Sequence, residues 1–284
     1  MFTSCCPAWV NYVEESAPEL IPHLSTCRSP LGMLSSVLKD EYPKLKGVRQ
    51  DQIYNVAIMP CIAKKDEIER PQLRTKDGQK ETDAVITTRE LVRMLKKHKI
   101  NLKKLPDTPF DKLYGESTGA GTIFCNSCGV MEAAIRSAYK FFTGHDMKNY
   151  DVPDVRGVDK GIKLATVDFD GTPVHFAVAQ GIANAMKLIK KVKANDPEVK
   201  DVKFIEVMAC PGGCVCGGGS TRARNKKIMN KRVDAVYKID KEKQERASHQ
   251  NVELNECYER FLEGKYFSHK AHEELHTELK SRKH

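Results

Sequence analysis

No stretch of about 18 consecutive apolar residues occurs among the 284, so no segment is expected to cross a membrane as a helix. The first residues, Met1-Phe2-Thr3-Ser4-Cys5-Cys6, hold no basic region followed by an apolar one. A secretory leader therefore has no support, and a cytoplasmic, reducing setting is the expectation. Neither the glycine fingerprint of dinucleotide sites nor a phosphate loop ending in Gly-Lys-Ser/Thr is present, so nucleotide chemistry has no motif behind it. No fixed-period repeat and no low-complexity tract appears. Excess charge is modest: 47 Lys+Arg against 38 Asp+Glu gives +9. From Arg222 to His284 there are 16 Lys+Arg and 11 Asp+Glu, interspersed as on a solvated helical face, and no nucleic-acid or membrane partner is expected. With 40% hydrophobic and 30% charged residues, a packed core in one large domain or two lobes is feasible.

Cysteine, by contrast, is plentiful, with ten in the chain. Thiols kept reduced are more often metal ligands or reactive groups than disulfide partners. Three groups stand out: Cys5-Cys6 followed by Pro7-Ala8-Trp9; Met59-Pro60-Cys61; and Met208-Ala209-Cys210-Pro211-Gly212-Gly213-Cys214-Val215-Cys216 followed by three glycines. Adjacent cysteines diverge, so one of Cys5 and Cys6 is expected to ligate while the other faces a neighbouring space. The glycines around Cys214 let backbone N–H groups approach sulfurs or an anion closely. A buried cysteine is more often a small hydrophobe, which is the reading for Cys27 and Cys257, each isolated on a helical pattern. For Cys210 to Cys216 that reading is poor, and an iron-sulfur site or a structural zinc site is favoured.

The pattern along the chain alternates short apolar strands with amphipathic helices, an α/β arrangement. Strands are expected at Asn55 to Ile58, Ala84 to Ile86, Lys163 to Phe169, His175 to Ala179 and Lys203 to Met208. Ser29-Pro30 opens a helix with Leu31, Leu34 and Leu38 on one face, and Thr87 to Glu90 forms a capping box. Further helices are expected near Val130 to Phe142, ended by Gly144, and near Ile182 to Val192, the latter bridging two strands as a parallel crossover. Lys64 to Lys80 and Asn101 to Pro109 read as loops. Cys61 and Cys210 then follow directly on strands, at the carboxyl ends where α/β sheets bind ligands.

Together the three groups resemble the signatures of the iron-only (FeFe) hydrogenases. The family's motifs run Thr-Ser-Cys-Cys-Pro-x-Trp, Met-Pro-Cys-x-x-Lys-x-x-Glu and Glu-x-Met-Ala-Cys-x-x-Gly-Cys-x-x-Gly-Gly-Gly. Here they stand at Thr3 to Trp9, Met59 to Glu67 and Glu206 to Gly219. Gly119 to Tyr139 and Ser268 to His276 also look like the family. The resemblance implies an α/β fold of two lobes with mainly parallel sheets flanked by helices, a metal cluster in the crevice between them and a helical C-terminal tail. The lobes are expected at residues 1–115 and 116–221, with a helical extension over 222–284.

The resemblance further implies that Cys6, Cys61, Cys210 and Cys214 ligate a 4Fe-4S cluster. The Cys214 sulfur would also bridge to a di-iron unit carrying CO, cyanide and an azadithiolate, the whole forming the H-cluster. Cys5 corresponds to a proton-relaying thiol and Ser25 to a serine on the outward proton path. Lys64 matches a lysine bonded to one cyanide, Met59, Pro60, Phe124 and Met208 match pocket residues, and Glu67 matches a locally pairing glutamate. The implied activity is reversible reduction of protons to dihydrogen with ferredoxin or a similar carrier; maturation proteins and a complementary hydrogenase subunit are implied partners. The alternative is a non-catalytic relative, a hydrogen or redox sensor or an iron-sulfur assembly protein. Family members carry part of the catalytic domain ahead of the first motif, so a fragment is the leading expectation, beside a split subunit or a small variant. Cys125, Cys128 and Cys216 depart from the family pattern and are expected to alter the cluster's surroundings without adding a metal.

Overall fold

The computed structural model describes residues 1–156 and 160–282. It divides into two compact units. One, the Cys6 unit, comprises Ser4–Phe110, Gly217–Thr221 and Glu256–His284; the other, the Cys210 unit, comprises Met1–Thr3, Asp111–Cys216 and Arg222–Asn255. Lys283 and His284, the end of the expected helical extension, lie outside the described residues.

In the Cys6 unit, helix α1 (Pro7–Ser16) begins on Pro7, whose fixed φ and missing N–H suit a first helical position. It buries Trp9 and Val13. Helix α2 (Pro30–Lys46) is capped as its sequence predicts: the Ser29 hydroxyl accepts from Gly32 N, and Gly47 closes it in the left-handed region at φ 64°. Its inward face differs from the leucine stripe. Leu31 is buried, but Leu34 is 44% exposed. Ser35, Ser36 and Lys39 point inward instead, because each finds a partner: Thr82 donates to Ser35, Ser36 donates to Glu274, and Lys39 bonds the Ile53 carbonyl and pairs with Asp83 at 2.8 Å. Satisfied polar groups can be buried at little net cost, so partners override the apolar pattern here.

Strands β1 (Val56–Met59) and β2 (Ala84–Thr87) pair in parallel, Ala57 beside Val85 and Ile58 beside Ile86. Ala57 and Val85 pack with Leu31 and Ile68 into a small core. Between the strands the expected loop over Lys64 to Lys80 holds from Ile68 onward, but it starts with one helical turn and is partly buried. Helix α3 (Lys64–Glu67) forms, Ile68 and Leu73 are buried, and Arg70 pairs with buried Glu14 at 2.7 Å. The segment's polarity hid this because its charges are matched across the fold. Helix α4 (Thr88–Lys97) starts on the expected capping box, with Thr87 and Glu90 bonding each other's backbone N–H.

The Cys210 unit contains α5 (Gly119–Ile123), α6 (Gly129–Thr143), β3 (Ile162–Phe169), β4 (Thr172–Gln180), α7 (Ile182–Lys193), β5 (Val202–Met208) and α8 (Lys226–Glu242). Gly144 ends α6 at φ 84° as expected. The strand order is β3-β4-β5. β4 and β5 run parallel through α7, whereas β3 and β4 form an antiparallel hairpin turned at Asp170-Gly171, both at positive φ. Phe2 bridges to Ile205 alongside β5.

Two further helices complete the chain, α9 (Val252–Arg260) and α10 (His269–Leu275). Cys257 is buried on α9, as its isolated position implies, but Cys27 is not helical: it pairs in extended form with His276. Within the Cys6 unit, Lys270 of α10 reaches Asp40 at 2.6 Å and Arg260 reaches Glu41 at 2.7 Å.

Candidate metal centre

Cys6 stands at the N-cap of α1, where its carbonyl accepts from Trp9 and Val10 and its side chain is buried. Cys5, one residue earlier, is half-buried. Across the same unit, Lys64 begins α3 and is itself buried. Its ammonium lies 2.5 Å from Glu67 and donates to the Cys5 carbonyl at 3.5 Å. Cys5, Cys6 and Lys64 are thus brought to one neighbourhood, and Glu67 holds the lysine charge in place. Ser25 is half-buried, and its hydroxyl accepts from Cys27 N at 3.2 Å.

Cys61 follows β1 at its carboxyl end, behind Met59 and Pro60. Met59 packs on the Leu31 core. The Pro60 carbonyl accepts from Gly219 N at 2.9 Å, and the Gly219 carbonyl accepts from Arg89 N at 3.0 Å. A Cβ at Gly219 would sit 2.9 Å from Pro60 C and 3.0 Å from Cys61 N, so only glycine allows this backbone to lie against the Cys61 turn.

In the Cys210 unit, Met208 ends β5 almost fully buried, and its carbonyl accepts from Gly181. Cys210 follows, its carbonyl accepting from Gly213 N at 2.9 Å, and Cys214 opens a 3-10 turn ending at Cys216. The turn is held at several points. Ser127 N donates to the Gly212 carbonyl, Val215 N donates to the Cys125 carbonyl, and Gly212 N donates to the Gln180 side chain. Gly212 and Gly213 have φ of 80° and 86°, and a Cβ on Gly213 would stand 2.2 Å from Ser127 N. Gly213→Ala is therefore expected to cost at least about 2 kcal/mol. Urea unfolding of the metal-free chain checks this, and an unchanged midpoint would contradict the packing described. Phe124 sits at the end of α5, packed beside Ile123, Ala133 and Tyr237.

Two positioning roles escaped the sequence reading, although Glu206 opens the third motif. Glu206, fully buried on β5, accepts from Cys128 N at 2.6 Å and Met131 N at 2.7 Å, capping the start of α6. Burial pushes its carboxyl up to about 7, against the opposing pull of those backbone donors. The available signal was a lone acid inside the apolar run Phe204 to Met208. The second is a buried ion network. Arg136, 0% exposed, grips both oxygens of Asp240 at 2.7 and 2.8 Å and bonds Glu132 at 2.8 Å. Arg156 and Arg246 complete it against Glu132, Asp151 and Asp240.

Two of the extra thiols, Cys125 and Cys128, stand beside the start of α6. Burial pushes the Cys125 thiol up to about 11 and the Cys128 thiol up to about 12. Cys128 adopts φ 76°, a left-handed position where glycine costs less.

The chemistry of the motif thiols fits iron-sulfur ligation in each unit taken by itself: Cys6 stands at a helix start and Cys61 after a strand, and Cys210 and Cys214 stand on a glycine-rich turn after a strand. These features define a cysteine-presenting α/β domain. Comparison narrows the class: the sequence model described as iron only hydrogenase large subunit, C-terminal domain, matches residues 1–218, and that of the iron hydrogenase small subunit matches residues 226–282. The chain belongs to the iron-only hydrogenase family.

Iron hydrogenase 1 of Clostridium pasteurianum is 41% identical over 285 residues, 99% of this chain and 49% of that protein. The periplasmic Fe hydrogenase large subunit of Nitratidesulfovibrio vulgaris is 50% identical over 218 residues, 77% of this chain and 51% of that one. A cytosolic Fe-S cluster assembly factor, narfl of Xenopus tropicalis, is 32% identical over 98% of this chain and 58% of its own length. A solved FeFe-hydrogenase from Chlamydomonas reinhardtii superposes with a TM-score of 0.84 at 38% identity, covering 100% of this chain and 77% of that one. The chain thus spans about half the length of the curated hydrogenases it matches.

Proposed function

We propose that this chain forms the C-terminal part of an FeFe-hydrogenase catalytic domain that reversibly reduces protons to dihydrogen, exchanging electrons with a low-potential carrier such as ferredoxin. One observation carries the reading: buried Cys6 and half-buried Cys5 stand at the start of α1 with Lys64, held by Glu67, against the Cys5 backbone. In this reading a cluster ligand, a relaying thiol and a fixed cation share one neighbourhood. Cys6, Cys61, Cys210 and Cys214 would hold the 4Fe-4S part of the H-cluster, which when bound supplies electrons and a di-iron centre for hydrogen chemistry.

The chain's own residues do the rest. Cys5 would serve as the proton relay, since a thiol is a far stronger acid than a hydroxyl, and Ser25 lies on the proposed outward proton path. Lys64 offers a desolvated cation to an anionic ligand such as cyanide, which a dry site would otherwise penalise. Met59, Pro60, Phe124 and Met208 exclude water. A cytoplasmic setting and dependence on maturation proteins are parts of the same proposal. No helix among the described residues is long and apolar enough to cross a membrane.

The identity to the assembly factor supports a second reading, a non-catalytic iron-sulfur relative. Infrared spectroscopy after coexpression with the maturation proteins separates the two. Bands from metal-bound CO and cyanide are expected; a sample with iron and sulfide but without those bands overturns the hydrogenase reading.

A further inference from the structure

Two histidines of the Cys6 unit stand apart from the thiol chemistry. His272 lies on α10 and His276 caps its end. Their rings lie face to face, with centroids 4.6 Å apart and planes 8° from parallel. Four residues is the spacing at which a helix turns two imidazoles toward one metal ion.

The surroundings hold the pair in place. His276 bridges to Cys27 in extended form, its carbonyl accepts from Arg28 Nε at 2.8 Å, and its Nδ1 meets the Thr26 hydroxyl at 2.8 Å. A partner on Nδ1 leaves Nε2 as the coordinating atom, and such a partner is what orients a histidine ligand. Among the described residues neither ring nitrogen of His272 has a hydrogen-bond partner, so coordination there displaces nothing.

Both rings line a cleft of about 860 Å³, together with Asp66, Glu69, Glu273 and Glu278. Two arginines in the same wall are already matched to acids of their own, Arg28 to Glu81 at 2.8 Å and Arg70 to Glu14 at 2.7 Å. The cleft therefore offers two imidazole nitrogens with carboxylate oxygens nearby, a donor set that suits a divalent transition-metal ion such as zinc, not magnesium and not the soft cuprous ion. The acidic trio Glu132, Asp151 and Asp240 makes no comparable site, because Arg136, Arg156 and Arg246 occupy its oxygens.

We propose that His272 and His276 form a two-histidine site for a divalent transition-metal ion, with water or a carboxylate of the cleft filling the remaining positions. The site uses none of the motif thiols and does not depend on the hydrogenase reading. Arg28 N donates to the Leu275 carbonyl at 2.8 Å and Thr277 N to the Thr26 carbonyl at 2.8 Å, so the end of α10 is already laced to the Thr26–Arg28 segment. A bound ion braces that seam and stabilises the folded chain more as its concentration rises.

The test uses the full chain without iron and Zn²⁺ alone as the probe. Thiols also take up zinc, so free-thiol titration first establishes the concentration that saturates them, and the histidine rings are then read directly by NMR of the imidazole nitrogens. Beyond that concentration the Nε2 resonance of His276 and a ring nitrogen of His272 are expected to move together, while the other histidines stay in place. His272→Ala and His272→Gln, at an exposed position, should melt like the parent chain without zinc and weaken the zinc response of His276 about tenfold or more. Rings that stay unmoved once the thiols are saturated, equal movement of all the histidines, or an undiminished His276 response in both variants would overturn the proposal.

Discussion

Replacing Cys5 by serine is expected to leave iron incorporation and the infrared bands of the assembled protein intact while lowering dihydrogen evolution about a hundredfold or more. The two side chains differ by one atom, but a serine hydroxyl is a far weaker acid than a thiol, so a proton held there is seldom released near neutral pH. Cys6 provides the contrast. It is buried at the N-cap of α1 and is one of the four proposed ligands, so Cys6→Ser should lower iron content itself. Parallel iron assays and dihydrogen evolution on the two variants check the division of roles; wild-type turnover in Cys5→Ser would remove the relay.

Arg136→Met is expected to destabilise the Cys210 unit by about 3–5 kcal/mol, read from urea unfolding of the metal-free chain. Arg136 is wholly buried and binds Asp240 and Glu132, both also 0% exposed. Removing it strips two buried carboxylates of the wholly buried cation that joins them, although Arg156 and Arg246 remain beside them. The effect exceeds that of an exposed ion pair because no water can replace the lost charge. Asp240 lies on α8, inside the segment matched to the small subunit, and Arg136 lies on α6, inside the part matched to the large subunit. The pair therefore joins the two stretches that the two family models match separately. A double-mutant cycle with Asp240→Asn should return a coupling well above that of a surface pair; additivity would show that the network is not acting as a unit.

Features governed by local chemistry were legible before the fold was known. Ser29-Pro30, the Thr87-Glu90 box and Gly144 marked helix ends because capping is decided within a turn. The strands ahead of Cys61 and Cys210 were readable from short apolar runs, which placed both thiols at carboxyl ends. Features governed by distant partners were misread or missed. Leu34 looked like core, yet α2 turns serines and a lysine inward because Thr82, Asp83 and Glu274 meet them. Lys64 to Lys80 is loop from Ile68 onward as expected, but its charges gave no sign of the short helix at its start or that Arg70 would find Glu14. Cys27 looked helical, although its pairing partner, His276, lies far along the chain.

By itself the sequence determined which chemistry the protein carries. Thiols, glycines and a lysine at these spacings are covalent facts, and their place at strand and helix ends follows from backbone rules acting over a few residues. Tertiary structure alone decided what surrounds them. It set Glu206 under the start of α6, sealed Arg136 among carboxylates, laid Gly219 against the Cys61 turn and brought Thr26 to His276. The physical reason is that burial and charge pairing depend on which remote segments meet, and no local pattern of residues records that encounter.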